Sequence, residues 1–271
     1  MRGTKVRKQD LADALDAKLL DRLLPTSAVR AIGAWLTGSG ARYVAGTGGH
    51  AVEYVPAHWA DIEPWPHLFP TQRHGTAAMV SRAQVVAAVG AAVERQEWSE
   101  ALVASYVWGQ GRIGYGPHRL KEILEGQTVD TVVAQAARTL RKDGAVAAYR
   151  TMNGAVKGLG PAFFTKFLYF LALATDSSET PRALILDQRV ARVIRLHAAR
   201  IGAGIGLASA EAIAAWAWSD GGWTSHRYDV YLRWMNTAAG QLASAGIGWP
   251  DSPSPDLLEL ALFNGAWDPT T

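Results

Sequence analysis

Two ionisable residues in the second half of the chain, Lys166 and Asp187, have the types and surroundings that covalent chemistry requires. Lys166 is the one charged residue of the apolar stretch 161–175. Burial there disfavours the ammonium and favours the neutral amine, which is the nucleophilic form. Asp187 follows the apolar pair Ile185-Leu186 and precedes a helical pattern, as an N-cap does. We expect the amine and the carboxylate to converge on one cleft, although Lys166 can also extend to solvent and Asp187 can serve only as a cap.

A turn containing two glycines lies shortly before the lysine, in the sequence Gly158-Leu159-Gly160-Pro161. Glycines allow a sharp turn and a close approach of the backbone, and Pro161 suits the first turn of a helix. The segment 154–175 therefore fits a helix-hairpin-helix in which Gly158 and Gly160 present backbone amides to a DNA phosphate. A plain connection between two helices fits the same glycines, so both interpretations stay open at this point.

The run from Gly158 to Lys166, together with Leu186-Asp187, resembles the helix-hairpin-helix DNA glycosylases, and most closely their bacterial 8-oxoguanine DNA glycosylase-like branch. The resemblance is specific over about residues 100–195. It implies an all-α fold of two helical lobes, with the DNA and active-site cleft between them. It also implies that Lys166 is the catalytic lysine and that Asp187 is the aspartate at the start of a later helix.

The position of the lysine departs from the family pattern. The family has its lysine two residues after the second glycine, where this chain has Ala162. Because Ala162 and Lys166 are four residues apart, they share one helix face, and the lysine is displaced by about 6 Å along the helix. Lys157 is the alternative nucleophile.

The activity that the resemblance implies is a DNA glycosylase with AP lyase activity on an oxidised purine, 8-oxoguanine, which is flipped out of the duplex. Asp187 would stabilise the oxocarbenium-like charge, and the Lys166 amine would form a Schiff base whose β-elimination nicks the strand. The expected partner is double-stranded DNA containing an oxidised base, and no cofactor is expected. Two alternatives are a non-catalytic DNA-binding module, which needs neither residue, and a monofunctional glycosylase for another damaged base.

Four polar side chains are candidates for DNA contact. Arg189 and Arg192 lie three residues apart on the helix that Asp187 would cap, so they form either a phosphate-binding stripe or a solvated face. The glycine-rich turn 108–114 contains Gln110 and Arg112 and, by its position, resembles the loop that glycosylases push into the duplex. An ordinary glycine loop is the alternative.

Aromatic residues are candidates for stacking on an extruded base. Trp59 and Phe69 lie in a proline-rich segment, and Trp223 follows Gly221-Gly222 before a helix. Other aromatic side chains nearby have spacings or surroundings that also fit a hydrophobic core, namely Trp65, Tyr228, Tyr231 and Trp234.

Helices must position these residues, because apolar residues recur at helical spacing along most of the chain. The predicted helices are 81–96, 117–125, 128–142, 145–155, 161–175, 187–200, 209–218, 225–243 and 254–263, with further helical spacing around 11–23 and 101–106. Residues 51–71 contain four prolines and predict an ordered loop with a short strand. We expect residues 1–271 to form a single compact glycosylase unit. Its central region is 82–200, and 1–81 packs with 201–271 as a second lobe.

The composition of the 271-residue chain limits its chemistry further. The absence of cysteine excludes a disulfide scaffold, an iron–sulfur cluster, a cysteine-ligated zinc site and a cysteine nucleophile. The net charge of +3 is unevenly distributed, since the segment after Pro250 carries only acidic charges. A basic body is compatible with a polyanionic partner. With no apolar run long enough for a membrane span and no signal-peptide pattern, we expect a cytoplasmic protein. We also expect it to act as a monomer.

Overall fold

The computed structural model describes residues 7–71, 75–112, 114–175, 181–219 and 223–270. Within these ranges the chain forms eleven α-helices and one two-stranded antiparallel sheet. This composition confirms the predicted all-α class. None of the described helices is both long enough and apolar enough to cross a lipid bilayer.

The helices and strands follow one another in a simple order. They are α1 (Lys8–Asp21), α2 (Thr26–Thr37), β1 (Ala51–Tyr54), β2 (Ala78–Ser81), α3 (Arg82–Glu94), α4 (Trp98–Gln110), α5 (Gly116–Leu124), α6 (Val129–Met152), α7 (Pro161–Ala174), α8 (Gln188–Gly204), α9 (Ala210–Ala217), α10 (Ser225–Ala243) and α11 (Pro255–Phe263). Short 3₁₀ turns lie at Ala41–Tyr43, Thr47–Gly49 and Pro56–Trp59.

The structure differs from the sequence prediction in three elements. Helices predicted at 128–142 and 145–155 are one helix, α6, which is interrupted at Gly144 by a φ of 81° and then continues. The predicted short strand is β1, and it pairs with β2, which the sequence analysis did not predict. Helix α2 was also missed. Strand β2 has four residues, and so short a segment gives a weak periodic signal, whereas the 12 residues of α2 carry a helical pattern that the sequence analysis passed over.

The chain divides into two compact units. The first unit comprises Met1–Ala45 and Leu186–Thr271, and the second comprises Gly46–Ile185. The boundaries that the sequence analysis placed at residues 82 and 200 therefore differ from those of the units. The single compact glycosylase unit over 1–271 stays a prediction.

Each unit has a core of its own. In the second unit α4 packs against α3, α6 and α7, and both α4 and α7 are buried along most of their length, which explains their nearly continuous apolar sequences. In the first unit α8 packs against α1, α9 and α11, and α10 contributes buried aromatic side chains.

Candidate active site

The hairpin between α6 and α7 turns over residues 153–160 in the second unit. Val156 and Leu159 are buried and anchor it, whereas Gly158 and Gly160 are exposed. Gly158 has a φ of 83°, a left-handed conformation that disfavours residues with a Cβ. A Cβ at this position would lie 3.4 Å from Ile123 Cγ1, so the hairpin sits directly on α5.

Gly160 is the N-cap of α7 and lies on the open side of the hairpin. Its carbonyl oxygen accepts hydrogen bonds from Phe163 N at 3.0 Å and Phe164 N at 3.1 Å, and Pro161 occupies the first helical position. A Cβ at Gly160 would meet no heavy atom of the described chain within 4 Å. The backbone here, at the positive end of the α7 dipole, is therefore open to an approaching anion.

Lys166 is buried in the second unit, with 6% of its surface exposed. Its Nζ donates a hydrogen bond of 2.6 Å to the carbonyl oxygen of Ala162 and lies 5.3 Å from the centroid of the Phe163 ring. Side chains on a helix lean toward its N-terminus. The amine therefore reaches back by one turn to the level of Ala162, the position where the family pattern has its lysine.

The walls around the lysine come from α4 and α7. A Cβ at Gly109 of α4 would lie 2.5 Å from Lys166 Cδ and 3.0 Å from its Cε, so the lysine stem passes directly over this glycine. The Phe163 ring stacks on Tyr106 with centroids 4.2 Å apart and an interplanar angle of 15°. Burial raises the pKa of Tyr106 to about 12, so its hydroxyl stays neutral.

The turn after α4 lies against the sheet and α5. The Gln110 side chain covers Gly116, at the start of α5, where it would collide with a Cβ. Gly111 has a φ of 60° and approaches Val52 of β1. Arg112 forms a 2.8 Å ion pair with Glu53 of the same strand. The Arg112 side chain is exposed and that of Glu53 is partly exposed, so the pair stabilises the fold by less than about 1 kcal/mol. Contact of Arg112 with a phosphate stays a prediction.

These contacts bring the hairpin, the turn and the lysine together within the second unit. Gly158 contacts Ile123 of α5, Gly116 at the start of α5 contacts Gln110, and Gly109 next to Gln110 contacts Lys166. We call the surface formed by residues 110–112, 114–116 and 158–166 the lysine face.

Two of the candidate base-stacking residues, Trp59 and Phe69, are buried in the second unit. The Trp59 ring meets Tyr106 edge-on at 6.4 Å, and Phe69 contacts Tyr54 and Trp65. These rings pack the proline-rich segment onto the unit in this structure. Their role in base recognition stays a prediction.

Glu100 holds the proline-rich segment in place through His67, and the sequence analysis did not identify Glu100. Its Oε1 accepts a 3.2 Å hydrogen bond from His67 N and lies 2.8 Å from His67 Nδ1, and Arg95 donates to Oε2 at 2.7 Å. Burial opposes ionisation of Glu100, but the hydrogen bonds from His67 and Arg95 outweigh it and lower the pKa of the carboxyl. No local pattern links residues so far apart along the chain, although a glutamate in an apolar helix is itself a signal.

In the first unit, Asp187 is the N-cap of α8. Its Oδ1 accepts a 2.9 Å hydrogen bond from Arg189 N, which confirms the predicted cap. The side chain is half-buried and lies at the positive end of the α8 dipole. Lys166 belongs to the second unit, and the meeting of the two groups stays a prediction.

Arg189 and Arg192 are exposed on α8 in the first unit. The Arg189 guanidinium lies 4.9 Å from the centroid of the Phe263 ring. Hydrogen bonds from Thr270 lower the pKa of Asp268, and the charge of Arg192 lowers it further. Both arginines line a cavity of about 320 Å³ between α8 and the segment after α11. Their contact with phosphate stays a prediction.

Trp223 is buried in the first unit, with 1% of its surface exposed. Its Nε1 donates a 2.6 Å hydrogen bond to Ser219 O, and its ring meets Trp218 and Tyr231 edge-on. The preceding Gly221 and Gly222 lie outside the described residues. Stacking of Trp223 on an extruded base stays a prediction.

A buried polar cluster that the sequence analysis did not identify lies nearby. Asp16 forms an ion pair with Arg227, accepts a 3.1 Å hydrogen bond from Trp218 Nε1 and lies 3.2 Å from His226 Nε2. Burial raises the pKa of Asp16, and the charges of Arg227 and His226 partly offset this effect. Among the described residues, Asp13, Asp16 and His226 are the one group with metal-ligand spacing. Because Arg227 already neutralises Asp16, the cluster is better explained as a structural ion pair.

A family model with the description Putative 8-oxoguanine DNA glycosylase OGG-like protein matches residues 45–263 of the chain. The matched range includes both Lys166 and Asp187. No curated protein and no solved structure matches the chain. The family match confirms the resemblance that the hairpin and the lysine indicated.

Proposed function

The chain belongs to the family of 8-oxoguanine DNA glycosylase OGG-like proteins, and on that premise we propose that it excises 8-oxoguanine from duplex DNA and nicks the resulting abasic site. The membership itself establishes a general relationship to DNA glycosylases. The proposal goes further and specifies the lesion, the lyase step and the catalytic residues. A monomer acting in the cytoplasm, as predicted from the sequence, is part of the same proposal.

The position of the Lys166 amine is the observation that carries this proposal. The residue is one turn too late in the sequence for the family pattern, yet its Nζ lies at the carbonyl oxygen of Ala162, beside the start of α7. The amine is thus delivered to the end of α7 that adjoins the hairpin. A lysine with no chemical role would be expected to extend to solvent rather than lie buried along an apolar helix.

The lyase chemistry requires the Lys166 ammonium to lose its proton first, because only the neutral amine is a nucleophile. The nitrogen lone pair of Lys166 attacks C1′ of the damaged nucleotide, and the glycosidic C–N bond breaks with its electron pair leaving on the base, which takes up a proton. The amine loses a proton, the C1′–O4′ bond breaks onto the ring oxygen, which is protonated, and a Schiff base results. Removal of a C2′ proton then expels the 3′ phosphate, and water releases the lysine.

Asp187 would assist the departure of the base. An oxocarbenium-like positive charge develops on the sugar as the glycosidic bond stretches, and a nearby carboxylate lowers the energy of that state. This role requires the carboxylate form of Asp187, which lies at the N-terminus of α8 as its cap.

The lysine face supplies contacts for the DNA backbone. Gly160 and the N-terminus of α7 are open to a phosphate, and Arg112 is exposed at the neighbouring turn. Such contacts position the duplex without reading its sequence. Gln110, at the end of α4, would fill the space that the extruded base leaves.

Borohydride trapping tests the proposal, because borohydride reduces the Schiff base to a stable secondary amine. We expect a covalent complex with duplex DNA containing 8-oxoguanine, and we expect Lys166→Gln to abolish it. Lys157→Gln, which changes an exposed lysine of the same hairpin, is the matched control and should be trapped like the wild type.

The other results would each favour a different reading. Trapping lost only in Lys157→Gln would move the nucleophile to the hairpin. Base release without trapping would indicate the monofunctional glycosylase. Duplex binding with neither base release nor trapping, over a panel of lesion duplexes, would indicate the non-catalytic DNA-binding module and refute the proposal.

A further inference from the structure

We propose that Gly109 is a positioning residue for the Lys166 amine, an inference that rests on the Schiff-base chemistry proposed above. The lysine stem crosses α4 at Gly109, where a Cβ would lie 2.5 Å from Lys166 Cδ and 3.0 Å from Cε. Carbon atoms that are not bonded to each other do not approach so closely. The missing side chain of Gly109 therefore creates the space through which the lysine reaches the level of Ala162.

The lysine cannot easily move aside, although a lysine stem is flexible in general. Its Nζ is bonded to Ala162 O and faces the Phe163 ring. Phe163 is in turn stacked on Tyr106 of α4, with centroids 4.2 Å apart. A methyl group at position 109 would thus have to displace the stem from a path that is bounded by these groups, and the amine would leave Ala162.

The backbone of α4 gives no other reason for a glycine at this position. Gly109 is helical, and its φ is outside the left-handed region, whereas Gly111 has a φ of 60°. Alanine has a higher helix propensity than glycine, so on propensity alone Gly109→Ala would favour α4. The close approach of the lysine stem is the feature that requires glycine.

Gly109→Ala is the variant that tests the inference, and Gly90→Ala is its matched control. Gly90 lies inside α3 of the same unit, where the one heavy atom of the described residues within 4 Å of a Cβ would be Ala174 Cβ, at an ordinary 3.9 Å. The substrate is a duplex with a preformed abasic site, so that base recognition does not enter the measurement. We expect Gly109→Ala to slow borohydride trapping on the order of 100-fold, because misplacing a reacting group by about 1 Å has an effect of that size. Gly90→Ala should be trapped at the wild-type rate.

Duplex affinity separates positioning from a general structural effect. Because position 109 acts through Lys166, fluorescence anisotropy should give the same dissociation constant for Gly109→Ala and the wild type. Wild-type trapping by a folded Gly109→Ala would overturn the inference. Equal losses of affinity and of trapping would also overturn it, since they would indicate damage to the whole lysine face.

A double-mutant cycle keeps the inference testable if Gly109→Ala folds poorly. Lys166→Ala removes the stem that Gly109 accommodates. We expect Gly109→Ala to lower the melting temperature in the presence of Lys166 and not in the Lys166→Ala background. The inference would be refuted if Gly109→Ala lowered the melting temperature equally in both backgrounds, or if neither Gly109→Ala nor the double variant folded. Either result would show that the glycine serves another purpose.

The outcome also distinguishes the inference from the proposed function. If the wild type forms no trapped complex with either the abasic or the 8-oxoguanine duplex, the Schiff-base proposal fails, and the inference fails with it. If the wild type is trapped and Gly109→Ala is trapped equally well, the inference alone fails.

Discussion

Replacing Lys166 by methionine should stabilise the protein while abolishing the proposed lyase reaction. Methionine is unbranched and similar in length, so it fills the path over Gly109 without leaving a cavity. The carbonyl oxygen of Ala162 keeps the backbone hydrogen bond of the helix, so no acceptor is left unsatisfied. The variant therefore removes the charge and the hydrogen bond from Nζ to Ala162 O.

The expected magnitude follows from the contacts of the amine. The variant loses a charge-assisted hydrogen bond, worth about 1.5–3 kcal/mol, and a cation–π contact with Phe163, worth about 0.5–1 kcal/mol. Two effects stabilise the variant. The desolvation penalty of a buried ammonium, which is several kcal/mol, disappears. The new thioether beside the Phe163 ring contributes about 0.3–1.5 kcal/mol. We expect the free energy of unfolding to rise by about 1–2 kcal/mol, which corresponds to a melting temperature roughly 2–8 °C higher.

Equilibrium unfolding in urea, followed by circular dichroism, measures this change. Lys157→Met is the control, because the exposed hairpin lysine should change the free energy of unfolding by no more than about 0.5 kcal/mol. A Lys166→Met variant that loses more than about 1 kcal/mol would refute the reasoning. It would mean that the lysine is retained for stability and that its burial is no argument for catalysis.

Three further variants test other parts of the site. Asp187→Asn should change the free energy of unfolding by no more than about 0.5 kcal/mol, since asparagine also caps helices. It should slow base release by about 100-fold or more in single-turnover assays, and a wild-type rate would contradict the role of the carboxylate. Gly160→Val should fold normally because the backbone is extended there. Anisotropy should show that its affinities for damaged and undamaged duplexes fall by similar factors. Unchanged affinities would mean that the hairpin only connects two helices. The lowered pKa of Glu100 means that its contribution to stability is present above the ordinary value of 4.5 and is lost as the pH falls through the folded-state pKa. Glu100→Gln should therefore lower the urea midpoint at pH 7 more than at pH 3, and an equal decrease at both would show that ionisation is irrelevant.

Local features of the site were predictable because their causes are local. The cap at Asp187 depends on a residue type and the helix after it, and the hairpin depends on two glycines and a proline. The direction of Lys166 follows from helix geometry alone, since residues four apart share a face.

Features that depend on contacts between distant segments were not predictable. No sequence pattern near Gly109 indicates that a lysine side chain from another helix passes over it. Glu100 is held by His67, which lies in a loop far away along the chain. Strand β2 exists because β1 offers it a partner, and a four-residue strand has no periodicity strong enough to reveal it. Long-range packing decides each of these features.

The reach of the Lys166 side chain has a consequence for how related enzymes are identified. A lysine stem spans about one helical turn, so two positions four residues apart can deliver an amine to the same point. During evolution the nucleophile can therefore move along the helix if the facing helix provides a gap for the longer path. A search pattern that fixes the lysine by its distance from the second glycine would pass over such chains. A structural criterion based on the position of the lysine Nζ, and on a glycine beneath the lysine side chain, would retain such chains.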